Sequence, residues 1–118
     1  MDREQLEKTL KRREEVLYSH YSKETKKDIM TATLERYKED KIEKFYSTVM
    51  EECGELIQQV SKLCREKIEP NDIGLLEEMV DVELSIKMLK LLMGTDKNTI
   101  KHIEDIKLDR LLERLQKR

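Results

Sequence analysis

Two short stretches carry the residues best suited to chemistry. "EECGE", Glu51 to Glu55, sets three carboxylates into five positions. "EMVD", Glu78 to Asp81, sets two more three residues apart inside a run of Leu, Met and Val. Side chains three and four apart share one face of an α-helix. With Glu52 at zero on a helical wheel, Leu63 and Leu56 lie about 20–40° to one side and Glu55 about 60° to the other. Glu52 therefore borders an apolar stripe, and Glu55 lies just beyond it. With Glu78 at zero, Leu89 and Val82 fall at about 20° and 40°, Leu92 at about −40° and Asp81 at about −60°. Both of these acids stand within the apolar face.

Pairs of this spacing are common in a chain with 26 acidic residues, and Glu4 and Glu7 repeat it. Such a pair is ordinarily a solvated surface pair. An ionised carboxylate among hydrophobes is another matter, because it must neutralise or find a partner. No Lys or Arg shares the face of Glu78, Asp81, Val82, Ser85 and Leu89, and protonation cannot relieve four acids at once. A divalent cation held by Glu52, Glu55, Glu78 and Asp81 resolves the conflict. Oxygen-only ligands suit Mg²⁺, with Mn²⁺ as the alternative, rather than Zn²⁺. The competing reading is structural, with the acids serving as interhelical partners of Lys and Arg. A ferritin-like di-iron site would need a Glu-x-x-His pair on two helices. Here Glu55 and Asp81 occupy the third places, and His20 and His102 lie in other segments. Mg²⁺ held by carboxylates commonly takes substrate phosphates as further ligands, which points to phosphate-ester chemistry.

The elements that must position these acids are helices. Three Gly, a single Pro and few aromatics leave little turn chemistry for a many-stranded sheet. Leu, Glu, Lys and Arg abound, and all are strong helix formers. The expected fold class is all-α, a helical bundle of about four to five helices, and pairing with a second copy would enlarge its small core. A polar first helix is expected over 2–18, with Leu6, Leu10 and Leu17 as its spine. Ser22 or Thr25 would cap a second segment carrying Ile29, Leu34 and Tyr37. A third helix runs from near Asp40 to about Lys67, with Phe45, Val49, Leu56, Ile57, Val60, Leu63 and Cys64 at three- and four-residue spacing. "EPNDIG", Glu69 to Gly74, breaks the pattern, since Pro70 disfavours helix at Glu69. A fourth helix covers about Ile73 to Met93, and Gly94 suits its C-terminal cap. Thr95 or Asp96 would open a last helix reaching Leu115.

Charge and composition exclude other classes. The 24 basic and 26 acidic residues leave a net charge of −2, so the chain has no general attraction to nucleic acid or anionic lipid. No apolar run approaches the roughly 18–20 residues of a membrane span, and "MDREQLEKTL" lacks the apolar segment of a secretory signal. Cys53 and Cys64 are too few for a disulfide framework, and a cytoplasmic location with reduced thiols is expected.

In order, spacing and flanking hydrophobes, the two acidic motifs resemble the signature of the MazG-like all-α nucleoside triphosphate pyrophosphohydrolases, a superfamily that includes the dimeric dUTPases. Glu51-Glu52-Cys53-Gly54-Glu55 is similar to its Glu-Glu-x-x-Glu motif, and Glu78-Met79-Val80-Asp81 to its Glu-x-x-Asp motif, with 22 residues between Glu55 and Glu78. The tail "EDIKLDRLLERLQKR" is similar to the basic last helix of short bacterial and phage members. The likeness covers residues 31–118 as a MazG-like domain and leaves residues 1–30 as a polar N-terminal helical segment. It implies hydrolysis of a (d)NTP to the monophosphate and pyrophosphate in a homodimer or homotetramer, with Mg²⁺ on Glu52, Glu55, Glu78 and Asp81. It also implies that Glu51 ligates a second metal or orients the attacking water. Lys107 and Arg110 are the implied phosphate contacts, and Lys62, seven after Glu55 and on the acid side of its helix, is a further candidate by position.

Other residues have plainer readings. Cys53 and Cys64 fall near the apolar stripe and read as small buried hydrophobes. Met79, Met88 and Met93 read as core or dimer contacts. Gly54, in mid-helix, would permit close backbone packing. The alternative function is a non-catalytic helical interaction or adaptor protein, acting through the bundle or through the basic tail from Lys107 to Arg118.

Overall fold

Local backbone devices set the helix boundaries. The computed structural model describes residues 2–13 and 20–117. Helix α1 spans Arg3–Arg13; the expected continuation to residue 18, with Leu17 and Tyr18, lies outside the described residues. Ser22 opens α2 (Lys23–Glu39), its hydroxyl accepting from the Thr25 N–H at 3.1 Å, which satisfies a donor that the first turn leaves without a partner. Asp96 opens α5 (Lys97–Gln116) in the same way, accepting from the Asn98 and Thr99 N–H groups.

Between them, α3 (Ile42–Cys64) and α4 (Ile73–Met93) end on the same hydrogen-bond pattern with different residues. At the end of α4 the Gly94 N–H donates to the Leu91 carbonyl and the Thr95 N–H to the Lys90 carbonyl, with Gly94 at φ +63°. At the end of α3 the Glu66 N–H donates to Leu63 and the Lys67 N–H to Lys62, with Glu66 at φ 57°. This pair of bonds is the Schellman motif, which favours glycine at the left-handed position. In α3 a glutamate takes that place.

The turn between α3 and α4 is equally local. Pro70 is followed by Asn71 at φ 66°, and the Asp72 N–H donates to the Glu69 carbonyl at 3.1 Å, as in a type II turn. Asp72 then caps α4. Its Oδ2 accepts from the Gly74 N–H at 3.0 Å and from the Leu75 N–H at 3.4 Å, while its Oδ1 accepts from Arg3 Nη2 at 2.6 Å. A Cβ on Gly74 would lie 3.1 Å from that same Oδ2. Gly74, inside α4 as expected, makes room for the cap.

The chain divides into two compact units, Met1–Met88 and Leu89–Arg118. The first holds α1, α2, α3 and α4 up to Met88. Among the described residues its buried apolar side chains come one from each of the three longer helices: Leu34 of α2, Phe45 of α3 and Leu75 of α4. Phe45 is only 2% exposed, and Tyr37 packs a tilted ring against it at 5.5 Å between centroids, joining α2 to α3. Residue 30 falls inside α2. The second unit holds the end of α4, Gly94 and α5. No residue of α5 is buried, and Ile103, Ile106, Leu108, Leu111, Leu112 and Leu115 are exposed.

The described residues form five helices and no strand, which is the all-α class expected from composition. None of these helices is long and apolar enough to cross a membrane. Two expectations need correction. Cys53 and Cys64 are exposed rather than buried, because the apolar stripe of α3 is itself uncovered at Met50, Ile57 and Val60. Gly54 has nothing within 4 Å of where a Cβ would stand, so no close packing depends on it. Met79 and Met93, expected as core or dimer contacts, are exposed in a single chain and lie outside its core.

Candidate functional site

Helix α3 carries Glu51, Glu52 and Glu55, and helix α4 carries Glu78 and Asp81. The Pro70–Asn71 turn and the Asp72 cap reverse the chain between them. Glu52, Glu55 and Glu78 each offer a carboxylate oxygen, and these oxygens all lie within 4.8 Å of one another. Asp81 is outside that tightest group but within hydrogen-bonding reach of Glu52. The spacing that placed Glu52, Glu78 and Asp81 at or within apolar faces corresponds to partial burial of all three, and Glu55 is exposed, as its place beyond the stripe implies.

The electrostatics follow from this crowding. Partial burial, then a hydrogen bond with Glu55, then the negative charges of Glu55, Asp81 and Glu52 push the Glu78 carboxyl up to about 7. Burial also raises Glu52, followed by the charges of Asp81 and Glu55, a hydrogen bond with Asp81 and the charge of Glu51. Each effect disfavours the ionised form. One oxygen of each raised residue, Oε2 of Glu52 and Oε2 of Glu78, is buried without a hydrogen-bond partner. Among the described residues, none of the ion pairs joins a Lys or Arg to Glu52, Glu55, Glu78 or Asp81. The structural reading, in which Lys and Arg pair with these acids, has no such ion pair among the described residues.

The residues present fit a hard divalent cation. Their donor set is all oxygen, it converges from two helices, and two of its oxygens are buried with no other partner. Protons can take the same place: two carboxylates this close share a proton readily, which adds to the effect of burial in raising Glu78.

The remaining sequence candidates are placed as follows. Glu51 is exposed on α3, one residue before Glu52. Lys62 is exposed in the last turn of α3, about 10 Å along the helix axis from Glu55. Lys107 and Arg110 are exposed on α5, in the second unit. Sequence reasoning missed a group on the far side of α4, where Lys87 joins Lys23 and Lys26 of α2 around one cavity. The signal was faint, since lysines in two separated helices form no motif.

No protein-family model matches the chain, and no match was found among curated proteins or solved structures.

Proposed function

We propose that the protein hydrolyses a nucleoside triphosphate to the monophosphate and pyrophosphate, with the carboxylates of α3 and α4 as its metal-binding centre. The observation that supports this reading is the convergence of Glu52, Glu55 and Glu78 within 4.8 Å, with buried partnerless oxygens on two of them. Glu52, Glu55, Glu78 and Asp81 would hold Mg²⁺, or Mn²⁺ in its place. The bound ion supplies charge neutralisation for the triphosphate and a lowered pKa for water. Glu51, exposed beside the cluster, would orient the water that attacks the α-phosphorus. Water adds there, the bond to the β-phosphate oxygen breaks, and pyrophosphate leaves. Lys62, Lys107 and Arg110 are the cations proposed for the phosphate tail. The resemblance of the two acidic motifs to the MazG-like superfamily supports the same reaction, and a cytoplasmic location is proposed with it.

The working unit in this proposal is a homodimer or homotetramer. Met50, Ile57 and Val60 on α3 and the six aliphatic side chains on α5 are exposed in a single chain, and burying such surface is the usual drive for association.

Incubation with a panel of NTPs and dNTPs, with Mg²⁺ or Mn²⁺, tests the reaction through its products. Monophosphate and pyrophosphate are expected, and Glu55→Gln should abolish their formation while the helical circular dichroism persists. Stepwise release of inorganic phosphate, or full activity in Glu55→Gln, would overturn the proposal. Inactivity across the panel, with a stable oligomer, would favour the helical interaction protein instead.

A further inference from the structure

A second concave site lies between α2 and α4, away from the acids. Its volume is about 600 Å³, within the range of small-molecule sites. The floor is aliphatic, with Ile29 and Met30 from α2 and Val80, Leu84 and Met88 from α4. Lys23, Lys26 and Lys87 also line it, and no acidic residue does. None of these three lysines belongs to an ion pair among the described residues. A chain of net charge −2 thus gathers three uncompensated positive charges around one apolar groove.

Helix geometry separates this groove from the carboxylate centre. Taking Glu78 as zero, Lys87, Val80 and Leu84 lie at about 180°, 200° and 240° on α4, so the two sites occupy different faces of one helix. None of Glu52, Glu55, Glu78 and Asp81 lines the groove. The start of α2 adds to the positive field, because Lys23 and Lys26 stand in its first turns, where the N-terminal end of the helix dipole is positive.

We propose that the groove binds a small amphipathic anion, an aliphatic body carrying a carboxylate or phosphate head. The body would fill the space over Ile29, Val80 and Leu84, and the head would sit among the lysine ammonium groups. Each half answers a separate physical demand. Aliphatic floor favours release of water from an apolar chain, and lysines that keep their stems on apolar surface present their charge at its edge. An inorganic anion alone would leave the floor wet, and a neutral alkyl chain would leave the lysines without a counter-charge.

Titration calorimetry on the full chain tests this, with decanoate and decyl phosphate below their micelle concentrations as probes. Decanol and inorganic phosphate are the one-sided controls. Saturable 1:1 binding of either decyl anion is expected, with decanol and inorganic phosphate at least about 10-fold weaker. The preferred head group separates a carboxylate source from a phosphate one. The Lys23→Gln, Lys26→Gln, Lys87→Gln triple variant should weaken binding about 10-fold. Leu84→Gln should weaken it independently, and Glu78→Gln should leave it unchanged. Equal binding of decanol would reduce the site to an apolar groove, equal binding of phosphate would reduce it to a surface anion site, and either overturns the proposal. Absence of binding by a wild-type oligomer that Leu84→Gln dissociates would also overturn it, giving the groove to a second copy of the chain.

Discussion

Glu55 on α3 and Glu78 on α4 bring carboxylate oxygens within 4.8 Å of each other, although residues 56–77 separate them along the chain. At that distance two full negative charges repel, more strongly still where water is partly excluded. The folded chain can lower that repulsion by binding a proton or a cation. The raised Glu78 carboxyl describes the first case, and the proposed Mg²⁺ centre is the second. The two must compete.

Glu78→Gln keeps the shape of the side chain and removes one of the repelling charges. In EDTA at about pH 8 the variant should be more stable than wild type by about 1 kcal/mol, a figure discounted for the water that reaches the half-buried group. In saturating Mg²⁺ the order should reverse, since wild type gains a ligand that the variant has lost. Thermal melts of both proteins with and without Mg²⁺ give all four values. A Mg²⁺-induced shift of equal size in both would remove Glu78 from the centre.

The pH dependence of the metal-free protein has a definite sign. Glu78 rises from its ordinary 4.5 to about 7 on folding, and Glu52 is raised as well. Between those values the folded state binds more protons than the unfolded one. This contribution to stability is therefore fully present below about 4.5 and is lost as pH rises through about 7. Melting temperatures in EDTA should fall across that window, and less steeply in Glu78→Gln. Mg²⁺ should flatten the fall, because binding displaces the protons. A wild-type slope identical to that of Glu78→Gln would show that this carboxyl is not the titrating group.

Glu66 occupies at the end of α3 the left-handed place that Gly94 takes at the end of α4. A side chain in that conformation costs about 1 kcal/mol relative to glycine. Glu66→Gly should therefore raise stability by about 1 kcal/mol, and Gly94→Ala should lower it by about as much. Urea midpoints at constant slope measure both. A destabilised Glu66→Gly would mean that its carboxylate or its stem holds the turn.

Asp72 ties together the cap of α4 and the tether to α1. Its side chain is 9% exposed, while that of its partner Arg3 is 57% exposed. Asp72→Ala should destabilise by about 1–2 kcal/mol through loss of the cap. Arg3→Ala should cost less than about 1 kcal/mol, since its charge remains in water. Equal effects of the two substitutions, read from urea unfolding, would shift the weight from the cap to the ion pair.

Much of the fold was legible along the chain because its boundaries are local. Pro70, Asn71 and Gly94 bracket α4, and its expected limits, Ile73 to Met93, are the observed ones. The end of α3 was placed three residues late, at Lys67 rather than Cys64. Its stop signal is a glutamate in a glycine-like conformation, which no residue type announces. The starts of α2 and α5 were readable to within a choice of two residues, Ser22 or Thr25 and Thr95 or Asp96, because short polar side chains before a periodic run favour caps. Ser22 and Asp96 are the ones that cap.

The acidic site was half legible. Helical periodicity alone turned Glu52 and Glu55 to one side of α3, and Glu78 and Asp81 to one side of α4. It did not decide that Glu55 meets Glu78 while Asp81 leans toward Glu52, because that depends on how two helices lie side by side. The exposure of Cys53 and Cys64 was hidden for the same reason. A stripe shows which residues want cover, and only packing shows which receive it.

Residue types and their spacing were enough for the helical class, most helix ends and the side of each helix on which the acids stand, since these depend on hydrogen bonds and rotations within a few residues. Tertiary structure alone decided which carboxylate oxygens converge, that Arg3 reaches Asp72 across 69 positions, and that Lys23, Lys26 and Lys87 surround one groove. Those relationships join side chains far apart along the backbone, and no local periodicity encodes the distance between them.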